Sequence, residues 1–79
     1  MANRNDFGPH IRAGRALKRM SQADLAKVFG VDKSLISHWE SGARVIGHAH
    51  FVTLCRLFGW TGKQKDAMER LKLDAEASA

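Results

Sequence analysis

The chain has 79 residues, of which 13 are Lys or Arg and 8 are Asp or Glu, for a formal net charge of +5 and a hydrophobic content of 44%. This length predicts one domain with a small core, and the basic balance favours a polyanionic partner. The chain contains no apolar run of the roughly 20 residues that a membrane span needs, and its N-terminus lacks a signal-peptide hydrophobic region. Its single cysteine excludes an internal disulfide and fits a reducing cytoplasm.

Five helices fit the apolar periodicity, and no segment alternates as a strand would. The first helix is expected to be capped by Asn5 or Asp6, to tolerate Pro9 in its first turn, and to end near Arg19. Its predicted inner face consists of Phe7, Ile11 and Leu17, with Ala13 or Gly14 between them.

The second and third helices are predicted to meet across a single glycine, Gly30, a residue type that accepts the left-handed backbone of a helix end. Ser21 caps the second helix with Asp24 three residues later, and Asp32 caps the third, which stops at Ser41-Gly42. Their buried stripes are Leu25, Ala26 and Phe29 in one helix and Ile36 and Trp39 in the other. Such a pair of short amphipathic helices predicts a helix-turn-helix.

A loop over residues 43–47 leads to a fourth helix from about His48 to Phe58, followed by a fifth that begins at Thr61, with Gln64 three residues on. The inward residues of the fourth helix are Phe51, Leu54, Leu57 and Phe58, and the fifth helix carries Met68, Leu71 and Leu73. We therefore expect a single domain over residues 1–79, with a core over 6–60, a C-terminal helix over 61–74 and a frayed tail over 75–79.

The order of particular residues resembles the lambda-repressor/Cro family of phage and bacterial regulators, from about Phe7 to Trp60. The matching positions are Phe7, Gly8, Ile11, Arg12 and Arg15; Gln22, Leu25, Ala26, Gly30, Val31, Ile36, Trp39, Glu40 and Gly42; and Leu54, Leu57, Phe58 and Gly59. The resemblance implies a compact all-α, five-helix DNA-binding domain. It departs from the family at Ile46-Gly47, where a proline is frequent, and at Arg19, where a glycine is usual.

The outer face of the third helix is polar, and most of its side chains are short, as a helix in the DNA major groove requires. Four residues on this face are predicted to contact bases: Lys33, Ser34, Ser37 and His38. Lys33 is the best candidate for O6 and N7 of guanine, and His38 could donate to a guanine or a phosphate.

By resemblance, a second set of residues is expected to hold DNA phosphates: Gln22, Ser41, Arg44 and Arg15. For Ser41 a purely structural role as a helix stop is an open alternative. The resemblance also implies that Arg15 and Glu40 form a partly buried ion pair that fixes the third helix to the first.

Two half-sites bound by a two-fold dimer are the usual way in which a single helix-turn-helix gains enough contacts. Trp60, Met68 and Leu71 are expected to form the dimer surface. The alternative that they only close the core of the single chain remains open.

These features predict a cytoplasmic, sequence-specific regulator that binds double-stranded DNA as a homodimer, and more narrowly a repressor or autoregulator of a phage or mobile-element promoter. An antitoxin that binds a toxin and represses its own operon is the alternative. No enzyme activity, cofactor, metal or small-molecule ligand is expected, because His48 and His50 diverge on a helix and Cys55 lies in an apolar stripe.

Overall fold

The computed structural model describes residues 7–78, and these fold into five α-helices without a strand. The helices are α1 (Gly8–Leu17), α2 (Gln22–Phe29), α3 (Lys33–Ser41), α4 (His48–Phe58) and α5 (Gly62–Ser78). The predicted all-α, five-helix fold is confirmed.

Helix α1 begins with Pro9 in its first turn, where a missing N–H costs no internal hydrogen bond. The predicted caps, Asn5 and Asp6, lie outside the described residues. The helix ends at Leu17, two residues earlier than predicted, and Leu17 is 86% exposed, so its assignment to the inner face is wrong. Arg19 follows with a φ of 56°, which puts an arginine in the left-handed conformation that glycine adopts without strain.

Helix α2 begins with the predicted capping box. The backbone N–H of Asp24 donates to the Ser21 hydroxyl at 3.0 Å, and the Ser21 N–H donates back to the Asp24 carboxylate at 3.0 Å. Each bond satisfies an N–H group that the first helical turn leaves without a partner. The start of α2 is therefore encoded by these two residues alone.

The turn between α2 and α3 is closed by Gly30, whose φ of 67° is left-handed. The N–H of Val31 bonds to the Ala26 carbonyl at 3.0 Å, and the Val31 side chain packs against the core. Ala26 is buried, as its place in the apolar stripe predicts, and α2 and α3 are in contact. This turn fixes α3 relative to α2.

Helix α4 and the loop before it supply part of the core. Ile46, Phe51 and Leu54 are essentially closed to solvent. A Cβ placed on Gly14 of α1 would lie 2.4 Å from a ring carbon of Phe58, so that close approach requires glycine. The bounds of α4 agree with the prediction.

The sequence predicts that the last helix ends at residue 74 and that the tail after it is frayed. In the structure α5 extends to Ser78, so residues 75–78 are helical. Met68 enters the core, whereas Leu73 is 52% exposed. The side chain of Lys72 is buried, with Nζ 2.6 Å from Glu76 Oε2 and 5.9 Å from the centre of the Phe51 ring. This lysine is an inward residue of α5 that the apolar pattern did not identify.

Candidate functional site

Helix α3 presents two different faces. Its inner face buries Ile36, Trp39 and Glu40, and the four residues predicted to contact bases are all exposed on the outside: Lys33, Ser34, Ser37 and His38. Because the inner face is held by the core, the outer face forms a rigid polar ridge. A ridge of this kind can place donors and acceptors against the base edges in a major groove.

The start of α3 has the cap that the sequence predicts. Asp32 caps the helix by accepting from the backbone N–H of Ser34 at 3.0 Å, and the Ser34 hydroxyl donates its proton to the same carboxylate oxygen. These hydrogen bonds, that from the Ser34 hydroxyl first, hold the pKa of Asp32 below its usual value. Ser34 was predicted to serve any base, but its hydroxyl has already donated its proton within the chain.

The other end of α3 is fixed by Glu40, whose side chain is almost completely buried. Arg15 donates two hydrogen bonds to it, from Nε at 2.7 Å and from Nη2 at 3.2 Å. Arg15 and Glu40 thus form the ion pair that the sequence predicts. A third donor of Arg15, on Nη1, bonds to the Met20 carbonyl at 3.0 Å, so the same side chain also closes the α1–α2 turn.

Two further side chains converge on the same carboxylate. Nε2 of Gln22 donates to Glu40 Oε1 at 3.1 Å, and Nε of Arg12 lies 3.6 Å from that oxygen. Burial opposes ionisation of Glu40, but the hydrogen bonds from Arg15 and Gln22 outweigh it, so the pKa of Glu40 lies below its usual value. The carboxylate therefore gathers two arginines and a glutamine beside the last turns of α3.

This cluster relates directly to the phosphate contacts predicted for Arg15 and Gln22. A guanidinium carries five N–H donors, and three on Arg15 are used inside the chain. Arg12 is the most accessible member, with 64% of its side chain exposed. The sequence analysis assigned Arg12 no contact, although it lies one helical turn before Arg15 on the same face.

Ser41 and Arg44, the other predicted phosphate contacts, lie after α3. The Ser41 hydroxyl donates to the His38 carbonyl at 3.3 Å and accepts from the Ala43 N–H at 3.3 Å, which is the helix-stop role left open by the sequence. The backbone N–H of Arg44 bonds to the His38 carbonyl at 3.2 Å, and the Arg44 side chain is exposed. Arg44 remains the freer of the two for a phosphate.

The predicted dimer surface requires a correction. Trp60 and Met68 expose only 6% and 7% of their area in the single chain, because they pack into the same core as Phe7 and Phe51. Leu71 is half-buried and packs against this core. Trp60 and Met68 thus fit the alternative that they close the core, and they leave little area for a second copy.

An aromatic contact behind α3 was also missed by the sequence. The ring of His50 lies 5.4 Å from that of Phe29 and 5.2 Å from that of Trp39, and so joins α2, α3 and α4. Within residues 7–78, no three His, Cys, Asp or Glu side chains are placed to hold a metal ion. Cys55 is buried, and burial raises the pKa of its thiol. His50 is thus a packing residue. Its position two residues after His48, and therefore on another side of α4, could have indicated this.

The comparisons with known proteins agree with this geometry. Residues 11–61 match the family model described as Helix-turn-helix, which covers α1 from Ile11 through α4. No curated protein and no solved structure matches the chain. In the part of the chain that the structure describes, every helix is too short or too polar to span a bilayer.

Proposed function

The chain belongs to the lambda-repressor/Cro-like helix-turn-helix family of DNA-binding transcriptional regulators, and from this premise we propose that it recognises a pseudo-palindromic operator as a homodimer. In this proposal α3 lies in the major groove, where Lys33, Ser37 and His38 meet base edges. Arg44, Arg12 and Gln22 hold the flanking phosphates.

The observation that carries the proposal is the contrast between the two faces of α3. The inner face is fixed by Ile36 and Trp39 in the core and by the bonds from Arg15 and Gln22 to Glu40. The outer face is polar and exposed along its whole length. A helix that is fixed on one side and free on the other can enter a groove without reorganising, and recognition then costs little conformational entropy.

The distribution of charge supports the same orientation. Residues 1–61 contain nine Lys or Arg and four Asp or Glu, whereas α5 contains four of each. The net positive charge therefore lies entirely in the part of the chain that contains α1 to α4. A surface of this sign attracts the phosphate backbone and leaves α5 suited to another role.

For the dimer we propose a surface on α5 centred on Leu73. Leu73 is the exposed leucine of this helix, and the helix carries no net charge that would repel a second copy. Two copies joined in this way would present their α3 helices to half-sites about 34 Å apart.

We further propose that the protein acts in the cytoplasm as a repressor or autoregulator of a phage or mobile-element promoter. The support is the resemblance of residues 7–60 to regulators of that kind. Occupation of an operator that overlaps a promoter would block polymerase without any effector. Footprinting of the region upstream of its own gene, with a reporter fused to that promoter, tests this role.

The experiment on binding mode starts from duplexes selected out of a randomised pool. We expect inverted half-sites, with two chains bound per duplex by analytical ultracentrifugation. Leu73→Glu should give a folded monomer that binds a single half-site, whereas Leu17→Glu, at an exposed leucine of α1, should leave the dimer intact. Selection of single, unpaired half-sites bound by one chain would overturn the dimer.

A further inference from the structure

The N-cap of α3 is an acidic side chain, at the place where a basic protein would be expected to meet DNA. Asp32 is exposed, and one of its carboxylate oxygens, Oδ2, accepts both hydrogen bonds from Ser34. No described residue bonds to the other oxygen, Oδ1, so it is available to a ligand. Asp32 directly precedes Lys33, the predicted guanine contact.

The two side chains together present acceptors and no donor. The Ser34 hydroxyl has one proton, which it gives to Asp32, so its oxygen keeps only lone pairs. The carboxylate is ionised at neutral pH, and the same hydrogen bonds hold the pKa of Asp32 below its usual value. We call Asp32 and Ser34, joined in this way, the acceptor pair.

We propose that Asp32 determines specificity by accepting a hydrogen bond from the N4 amino group of cytosine in the major groove, with Ser34 holding its carboxylate in position. This inference rests on the proposed function and deepens it, since it names a base that α3 selects. Cytosine is the expected base because its major-groove edge offers a donor without an adjacent acceptor. Adenine places N7 beside its amino group, and guanine offers only N7 and O6, which a carboxylate repels.

The position of Asp32 adds a second effect, since an anion near the phosphate backbone weakens binding to every sequence. The acceptor pair should therefore lower affinity for unrelated DNA more than for a site with cytosine at the right place. Discrimination in this case comes from rejecting wrong bases as much as from attracting the right one.

The test compares the wild-type protein with Asp32→Asn. Asparagine caps a helix about as well as aspartate, so the fold should be retained, but its amide introduces a donor. Binding to the selected operator is measured with each of the four base pairs at every position of the half-site. The wild-type protein should prefer cytosine at one position by about fivefold to a hundredfold, and Asp32→Asn should reduce that preference to within about threefold while binding unrelated DNA more tightly.

Three further variants make the outcome specific. Asp66→Asn removes the same charge from an exposed site on α5 and should leave every base preference unchanged. Ser34→Ala, which keeps the backbone bond to Asp32, should weaken the same preference only partly. Asp32→Ser is a neutral cap without a carboxylate, and it replaces Asp32→Asn if circular dichroism shows that the asparagine variant is unfolded.

An unchanged cytosine preference in the folded Asp32 variants would overturn the inference and leave the proposed function intact. Selection of guanine or adenine at the position that responds to Asp32 would also overturn it. Absence of sequence-specific duplex binding by the wild-type protein would refute the proposed function and this inference together.

Discussion

A single side chain, Glu40, holds α3 in its orientation relative to α1 and α2. Its carboxylate is buried to 3% exposure, yet it accepts from Arg15 on α1 and from Gln22 on α2. Three helices are therefore connected at one point, on the buried face of α3. A buried charge of this kind is tolerated only while its partners are present.

Arg15→Ala should destabilise the protein by about 3 kcal/mol at neutral pH, at the lower end of the cost of breaking a buried pair, because Arg12 and Gln22 remain near the carboxylate. Arg15→Met combined with Glu40→Leu should recover much of the loss, since apolar replacement removes both charges. Urea unfolding of the two single variants and the double variant measures the coupling. Additive effects would show that the two side chains do not interact.

The same carboxylate should make stability depend on pH. The pKa of Glu40 is lowered in the folded chain, so its contribution is complete above the unfolded value of about 4.3 and is lost as the pH falls through the folded value. The free energy of unfolding should therefore fall between about pH 5 and pH 3, and fall less in Glu40→Gln. Glu69→Gln on α5 serves as a control and should follow the wild-type curve.

Lys33 and Arg44 should differ in what they contribute to DNA binding. Both side chains are exposed, but Lys33 lies on the outer face of α3 and Arg44 in the loop beyond it. Lys33→Ala should cost about 1–3 kcal/mol per half-site and relax preference at one base pair. Arg44→Ala should weaken all duplexes alike in the same titrations. A uniform loss from both variants would make Lys33 a phosphate contact.

At the scale of the helices, the features that were predicted best from the sequence are those that depend on neighbouring residues. The caps Ser21 and Asp32 and the left-handed Gly30 define α2 and α3, and all three were readable from neighbouring residues. The exposed face of α3 followed from its periodicity. The proton position on Ser34 was not readable, because it depends on the side-chain geometry of the cap.

Long-range packing accounts for the errors. Leu17 fits the apolar spacing of α1, but the helix ends there and the side chain projects into solvent. Trp60 and Met68 were predicted to form the dimer surface, yet both are buried in the same core cluster as Phe51. Lys72 is also buried there, with its charge paired to Glu76. A hydrophobicity scale assigns a lysine to the surface, so the sequence pattern did not predict its burial.

The position of α5 predicts the effect of removing it. A chain that ends after Gly62 loses Met68 and Lys72 from the core, and should unfold rather than persist as a folded monomer. A chain that ends after Glu76 keeps both residues and the Lys72–Glu76 pair, and should melt close to the full chain. Thermal unfolding followed by circular dichroism separates these outcomes. If the chain that ends at Gly62 is stable and helical, α5 is not needed for the stability of the fold.

At the scale of the whole molecule, the net positive charge is confined to one part of the chain. The surplus of cations lies in residues 1–61, with α3 exposed among them, and α5 is electrically neutral. The match to the helix-turn-helix family covers residues 11–61, which is nearly the same segment. The family match and the net charge thus fall in one part of the chain, whereas the C-terminal helix contributes Met68 to the core and carries the proposed dimer surface.

This separation predicts a steep response to salt. With about 6–10 phosphate contacts per dimer, raising salt from 50 to 200 mM should cost roughly a thousandfold or more in affinity for the operator, since each neutralised phosphate releases counterions. Arg44→Ala should reduce the slope of log affinity against log salt by about 1 for each half-site. Lys63→Ala, a change of the same charge on α5, should leave the slope as it is, because that helix faces away from the phosphates in the proposed complex. An operator affinity that barely changes with salt would contradict the electrostatic part of the mechanism, and equal slopes for the two variants would show that α5 also lies against the DNA.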